Sequence, residues 1–242
     1  SSSGGHLSAE LLLSSLDAGI LTLTMNNPRR LNGWPRPMLD ALSESLQTAA
    51  SNPDVQVAIL TGTDPYYCAG VNLAGALNLG HPKKLRAQIV EENGALFELF
   101  LRFPKPILIA VNGPAIGACV TSATLCDGII ASEQATFSTP FHKLRVAAEG
   151  CSSVLFARLM GEEAANRMLG PEGWRPTGAE ALEVGLAQWC VPHERLIEEA
   201  RTIAASWIKD GRERTLPCAM SLDDLLAIND RESREVADSF LR

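Results

Sequence analysis

KPILIAVNGPAIGACVTSATLCDGIIAS, Lys105 to Ser132, is the stretch on which the fold turns. Pro106 to Val111 is a short apolar, β-branched run fenced by Pro104 and Pro106 on one side and by Asn112-Gly113-Pro114 on the other, the pattern of a buried strand. After that turn, Ala115 to Leu125 is a run of small and apolar residues, long enough for a helix of about three turns. Gly117 and Ala118 at its front allow close approach. The free amides and positive dipole end of a helix start make a place for an anion or a developing oxyanion. The other reading of the same residues is tight packing of helix on strand.

Working outward, the chain has 242 residues, 46% of them hydrophobic, and a formal net charge of −7. That is enough for one large domain, with or without an appendage, around a sizeable core. The acidic balance, with only 21 Lys and Arg, argues against a general nucleic-acid binder. No apolar run approaches the ~20 residues of a membrane span. Cys68, Cys119, Cys126, Cys151, Cys190 and Cys218 form no CxxC pair and read as small buried thiols rather than zinc ligands or a disulfide framework. The polar start, Ser1 to Gly5, is expected to be disordered, and neither end is read for targeting signals.

Upstream, Leu11 to Thr24 reads as a hairpin turning at Asp17-Ala18-Gly19, and Met38 to Ala50 as an amphipathic helix. Val55 to Thr61 is the next strand, and the strand–helix–strand order predicts parallel pairing. The loop from Gly62 to Leu73 is rich in turn formers; its glycines suit a loop that aims N–H groups inward, or simply a structural turn. Gly75 to Pro82 shows little periodicity, and Leu85 to Phe103 is helical. Downstream come strands at Gly128 to Ala131 and Ala135 to Phe137. Helices follow at Leu155 to Met160, Glu162 to Leu169 and Thr177 to Val184, then a last strand ending at Val191. From Glu194 an amphipathic helix is expected to run to near the end of the chain.

Five motifs, AGVNL, VNGPAIG, LCDGIIAS, TFSTPF and AEGCSS, occur in that order. Together they resemble the crotonase (enoyl-CoA hydratase/isomerase) superfamily over roughly Ile20 to Val191. The most similar branch is the peroxisomal-type Δ3,Δ2-enoyl-CoA isomerases, with the chromodomain Y-like proteins as relatives. The resemblance implies an α/β fold, a crotonase-like spiral of ββα turns over residues 1–191, with a C-terminal helical oligomerisation region over residues 192–242. It also implies a homotrimer or a hexamer built as a dimer of trimers. Leu196, Ile197, Ile203 and Trp207 are then apolar residues of the tail in need of cover. The implied setting is the peroxisome or mitochondrial matrix.

The resemblance carries roles to particular residues. Val71, after Gly70, and Ala118, after Gly117, would supply the N–H pair that holds a thioester oxygen, which favours the oxyanion reading of the Gly117 turn. Ala69, Gly70, Asn72, Leu73, Gly117 and Phe141 fall on substrate-binding positions. Hydratases of the family carry Glu where Thr121 and Phe141 stand here, so hydration is not expected. The isomerase base falls on Glu149, which by itself also reads as a solvated loop acid before a helix. Phe141 and Leu144 would bury it and raise its pKa, whereas a helix N-terminus would lower it. Ala148 and Arg145 depart from the Pro and Gly usual in the branch. Arg29 and Arg30, with Lys105 near them, read as phosphate contacts to coenzyme A or as solvated surface charge. Asp127 reads as a structural anchor, and His6, His81, His142 and His193 lack ligand spacing.

The implied activity is a Δ3,Δ2-enoyl-CoA isomerase acting on acyl-CoA in fatty-acid β-oxidation. It needs no metal and no cofactor beyond the coenzyme A of the substrate, and no nucleic-acid or membrane-spanning partner. The alternative is a catalytically idle acyl-CoA-binding or scaffold module like the chromodomain Y-like proteins, which carry Asp at the position of Glu149.

Overall fold

In the hairpin at the N-terminal side, β1 (Leu12–Asp17) returns antiparallel on β2 (Ile20–Met25). Ala18 and Gly19 both lie at positive φ, the two-residue turn that matches strand twist. The computed structural model describes residues 10–71 and 81–241, so the polar start, His6, the expectation of little order over most of Gly75 to Pro82, and Asn72 and Leu73 lie outside the described residues. From β2 the sheet continues in parallel through β3 (Val57–Gly62), β4 (Ile107–Val111), β6 (Gly128–Ser132) and β8 (Trp189–Val191). The crossovers carry α1 (Arg36–Ser51), α2 (Pro82–Leu101) and α3 (Ala118–Ala123).

A second layer repeats the order of the first. β5 (Pro114–Ile116) pairs in parallel with β7 (Thr136–Ser138), and Cys68 bridges in parallel to Ala115 on the other side. Each turn of the chain therefore crosses the main sheet, touches the small layer and continues into a helix, the last of them the short α4 (Phe141–Leu144). This is the strand–strand–helix spiral that the resemblance implies. The helix expected from Ala115 is shorter than its composition indicates. Residues 114–116 are taken by β7, Ile116 N–H donates to Cys68 O, and Gly117 N–H donates to Ser138 O. Cross-layer pairing overrides the helical preference of small residues.

β3, β4 and β6 are buried on both faces, as parallel strands between layers must be. Leu60, Ile109, Val111 and Ile129 face Met38, Leu42 and Leu46 of α1 and Phe97 and Phe100 of α2. Ile59, Leu108, Ala110 and Ile130 face the other way, onto Leu196, Ala200, Ala204 and Trp207 of α8 (Leu196–Lys209). The tail residues expected to need a partner's cover are thus covered chiefly by their own sheet, with only Ile197 of the four left largely exposed. The tail is also not one helix. α8 ends at Lys209, Gly211 takes a positive φ, and α9 (Leu222–Phe240) begins after Pro217. Between β7 and β8, α5 (Ser152–Met160), α6 (Glu162–Leu169) and α7 (Gly178–Val184) close the flank, α7 with a Thr177–Glu180 capping box.

The stretch between α8 and α9 is fastened to the opening motif through Asp127. Its fully buried carboxylate accepts from Ile107 N–H (2.9 Å), Arg214 Nη1 (3.0 Å), Thr215 N–H (2.8 Å) and Thr215 Oγ1 (3.0 Å). Arg214 donates further to the carbonyls of Phe100, Phe103 and Leu125. Asp127 is therefore the anchor that its place in the sequence indicates. Asp127→Ala leaves the buried Arg214 charge without its carboxylate and two amides, of Ile107 and Thr215, without their acceptor, and is expected to cost about 3–5 kcal/mol in stability by denaturant titration. A loss under ~1 kcal/mol would contradict that account. The cysteines follow expectation except at the C-terminal side: Cys68, Cys119, Cys126 and Cys151 are buried and Cys190 half-buried, whereas Cys218 is exposed on the turn before α9.

Candidate active site

The loop after β3 is held rigidly before it reaches Val71. Asn112 Oδ1 accepts from Gly62 N–H (3.0 Å), and its Nδ2 donates to Asp64 Oδ1 (3.0 Å) and Tyr66 O (3.2 Å). Asn32 Nδ2 donates to Thr63 O and Tyr66 O, each at 2.8 Å. Both asparagines are buried, and neither stands out in the sequence, where Asn112 reads only as a turn former. Beyond Tyr67 the chain runs parallel to β5: Cys68 N–H donates to Pro114 O, and Ile116 N–H to Cys68 O. Past the Cys68–Ala115 bridge the chain stays close, with Gly70 against Ile116 O, so Val71 and Ala118 are the residues that follow this contact on the two segments.

Both positions follow a glycine at positive φ, +85° at Gly70 and +70° at Gly117. At Gly70 the requirement is also steric, because a Cβ would run into Ile116 O. Gly70 is pinned by its N–H to Cys68 Sγ (3.2 Å) and by Trp34 N–H to its carbonyl (3.0 Å). Among the described residues, neither the Val71 nor the Ala118 N–H has an acceptor. Two amides with no acceptor among the described residues, each following a glycine at positive φ, are what an oxyanion site would require, although Ala118 itself is buried.

A cleft of about 1880 Å³ opens here, with Arg30, Trp34, Gly70, Val71, Leu96 and Glu149 in its wall. Ala69 lines it too, so four sequence-derived residues of one motif set, Ala69, Gly70, Val71 and Glu149, meet in one cavity with Arg30 at its edge. Ala118, Gly117 and Phe141 do not line it: Ala118 and Phe141 are buried, and Gly117 turns the chain beneath. Arg29 is exposed outside the cleft. Lys105 is engaged elsewhere, its Nζ donating to Ala49 O and Asn52 O (2.6 Å each) at the end of α1, a cation on orphan helix carbonyls.

Glu149 is not a solvated loop acid. It is 7% exposed, and burial, reinforced by the neighbouring Glu232, pushes its carboxyl up to about 8. Leu144, one of the burying groups expected, does not serve. Leu144 is 63% exposed because α4 turns it outward, whereas Phe97 of α2 and Thr121 of α3 press on the adjoining Gly150. Nor does Glu149 gain from the start of α5. The amides there go to Glu232 of α9, Cys151 N–H at 2.6 Å and Ser153 N–H at 3.1 Å. The competition between burial and a helix N-terminus is thus settled by a second carboxylate that occupies the terminus.

Thr121 and Phe141, which the resemblance sets at the acid positions of hydratases, are both buried. Thr121 is fully buried and its hydroxyl donates to Ala118 O (3.3 Å); a Cβ on Gly150 would overlap Thr121 Oγ1, so the Glu149 loop lies directly on this residue. Another constellation matches the triad of a hydrolase in composition only. Ser132 Oγ lies 2.8 Å from His193 Nδ1, and His193 Nε2 lies 2.9 Å from Asp64 Oδ2. Ser132 is wholly buried and its Oγ already accepts Gln134 N–H (3.0 Å), so it has no path to a substrate. The chain Ser132–His193–Asp64 instead ties the end of β6 to the loop that leads to Val71. His81 caps α2, accepting Lys83 N–H, and His142 is exposed.

Comparison with known proteins identifies relatives of the chain. A family model described as enoyl-CoA hydratase/isomerase matches residues 15–234. Enoyl-CoA delta isomerase 3, peroxisomal, of Mus musculus is 33% identical over 203 residues, covering 84% of this chain but 63% of that protein. The 2,3-dehydroadipyl-CoA hydratase of Escherichia coli K12 is 29% identical over 226 residues, covering 93% and 84%. Among solved structures, an enoyl-CoA hydratase/isomerase from Pseudoalteromonas atlantica T6c superposes with a TM-score of 0.78 at 26% identity, over 96% of this chain and 92% of that one.

Proposed function

Because the chain belongs to the enoyl-CoA hydratase/isomerase family, we propose that it is the isomerase kind, moving the double bond of a 3-enoyl-CoA into conjugation as the 2-trans-enoyl-CoA. The observation that carries this reading is a single buried carboxyl, Glu149, raised to about 8 in the wall that also holds Val71; by the resemblance, Thr121 and Phe141 stand where hydratases carry acids. The thioester oxygen rests between the Val71 and Ala118 amides. The Glu149 carboxylate takes a proton from C2, and the C–H electrons pass into a dienolate whose charge lies on that oxygen. The protonated Glu149 then returns the proton to C4; the thioester carbonyl re-forms and the C2=C3 bond is left. One carboxyl serves both steps, with no metal and no cofactor beyond the coenzyme A of the substrate.

Arg30 at the cleft edge is free, among the described residues, to meet a coenzyme A phosphate. Assembly as a homotrimer or a dimer of trimers, and work in fatty-acid β-oxidation, belong to the same reading on the strength of the resemblance. The direct test is conversion of 3-hexenoyl-CoA, followed by absorbance of the conjugated thioester. Acyl-CoA binding without any conversion would overturn the reading in favour of an idle binding module.

Hydration follows the opposite expectation. Adding water across a 2-enoyl-CoA requires one group to activate the water and another to protonate carbon, and a lone carboxyl cannot hold both protonation states at once. Crotonyl-CoA is therefore expected to be hydrated at least ~100-fold more slowly than 3-hexenoyl-CoA is isomerised. Comparable rates would show that the argument from Thr121 and Phe141 is wrong.

A further inference from the structure

Beside Glu149 lies a second buried carboxyl, Glu232 of α9, which the proposed reaction does not use and which is 0% exposed. Its Oε1 accepts Cys151 N–H (2.6 Å), and its Oε2 accepts Ser153 N–H (3.1 Å) and Ser153 Oγ–H (2.5 Å). About two turns further along α9, Ser239 Oγ accepts Ala147 N–H (3.1 Å). α9 thus grips the chain on both flanks of Glu149. It is itself keyed to α2, through Asn93 Nδ2 on Ser233 Oγ (2.9 Å) and Asn229 Nδ2 on Gly94 O (3.0 Å). Nothing but α9 supplies those contacts to the Glu149 loop among the described residues.

We propose that Glu232 is a positioning residue for Glu149: it seats the loop by holding the amides at the start of α5, and keeps a fixed negative charge beside the general base. The inference rests on the reading of Glu149 as that base. A carboxylate that accepts three hydrogen bonds, as Glu232 does, keeps its charge more readily than one such as Glu149 that accepts none among the described residues. Burial raises both groups, but the Ser153 and Cys151 donors and Arg231 oppose it at Glu232 alone, so the proton of the pair goes to Glu149. The other charged groups nearby do not offset this. Arg231 is engaged with Ser153 Oγ and Glu235, and Cys151 stays neutral because burial pushes its thiol up to about 12. On the cleft side, Arg36 of α1 pairs with Glu92 of α2 (2.7 Å), and Arg30 and Glu91 lie toward solvent. Without Glu232, the helix start would be open to Glu149 itself, and its dipole would lower the base instead.

The test reads Glu149 directly. The protein carries glutamate labelled with carbon-13 at the carboxyl, and the Glu149 signal is assigned by its loss in Glu149→Gln. Its titration midpoint is followed in the unaltered protein, Glu232→Gln and Glu232→Asp, alongside kcat and KM for 3-hexenoyl-CoA. Glu232→Gln keeps an acceptor for Cys151 but removes the charge, and its Glu149 midpoint is expected to fall by about one pH unit or more. Glu232→Asp keeps the charge but is too short to reach both amides, so kcat should fall with KM nearly unchanged and the midpoint still raised. An unmoved midpoint in Glu232→Gln overturns the proposal. Should that variant not fold, Glu232→Asp decides: unaltered kcat and midpoint overturn it, and a fall in kcat with the midpoint held supports it. Absence of turnover in the unaltered protein removes the isomerase reading alone, since the midpoints still report whether Glu232 acts on Glu149.

Discussion

Glu149→Gln is expected to lower kcat for 3-hexenoyl-CoA by ~100- to 10,000-fold while acyl-CoA affinity changes little. The substitution keeps the size of the side chain and removes the only group in the described cleft wall that is both buried and able to exchange a proton at neutral pH. The α-proton of a thioester is weakly acidic, so the base has to be stronger than an ordinary surface carboxylate, and a carboxyl raised to about 8 is. The same shift fixes the sign of the pH dependence. Below about 8 the free protein holds Glu149 protonated and unable to accept, so kcat/KM should climb about tenfold per pH unit and level off above that value. A flat profile from pH 6 to 9, or near-normal turnover in the Gln variant, would remove Glu149 from the mechanism.

Local periodicity is enough for β2, α1, β3 and α6, each of which lies within a few residues of where its apolar spacing puts it. What periodicity cannot show is a pairing between distant segments. Ala115 and Ile116 read as the front of a helix until β7 is present to take them, and the tail reads as one helix until Arg214 is drawn onto Asp127, 87 residues away. The site divides along the same line. Gly70 and Gly117 mark their own unusual backbone, and the motifs carry Val71, Ala118 and Glu149 by resemblance. The electrostatic state of Glu149 depends instead on Glu232, which meets Cys151 across 81 residues and sits in a helix whose sequence reads as an amphipathic tail. Asn32 and Asn112 are silent for a related reason: a buried asparagine that pins a loop looks, in sequence, like one that merely turns it.

Backbone amides cannot be deleted by changing their own side chains, so the oxyanion site is tested through the glycine that places them. Gly70→Ala puts a methyl group at φ +85° and drives it into Ile116 O. Ile116 is the residue before Gly117, so relief of that clash moves Val71 in the loop after β3 or Ala118 at the start of α3, and either displacement opens the pair. Since one donor of an oxyanion hole is worth ~100- to 1000-fold in rate, kcat/KM for 3-hexenoyl-CoA is expected to fall by that order. The strain should also lower stability by about 1–3 kcal/mol. Gly117→Ala provides the contrast. It meets the same kind of backbone strain, φ +70°, but its Cβ has no atom within 4 Å, so the loss of rate should be smaller. Each variant is compared at a temperature well below its own unfolding midpoint, so that rate is not confused with the folded fraction. Gly70→Ala turning over within a few-fold of the unaltered protein would mean that the Val71 and Ala118 amides do not hold the thioester oxygen.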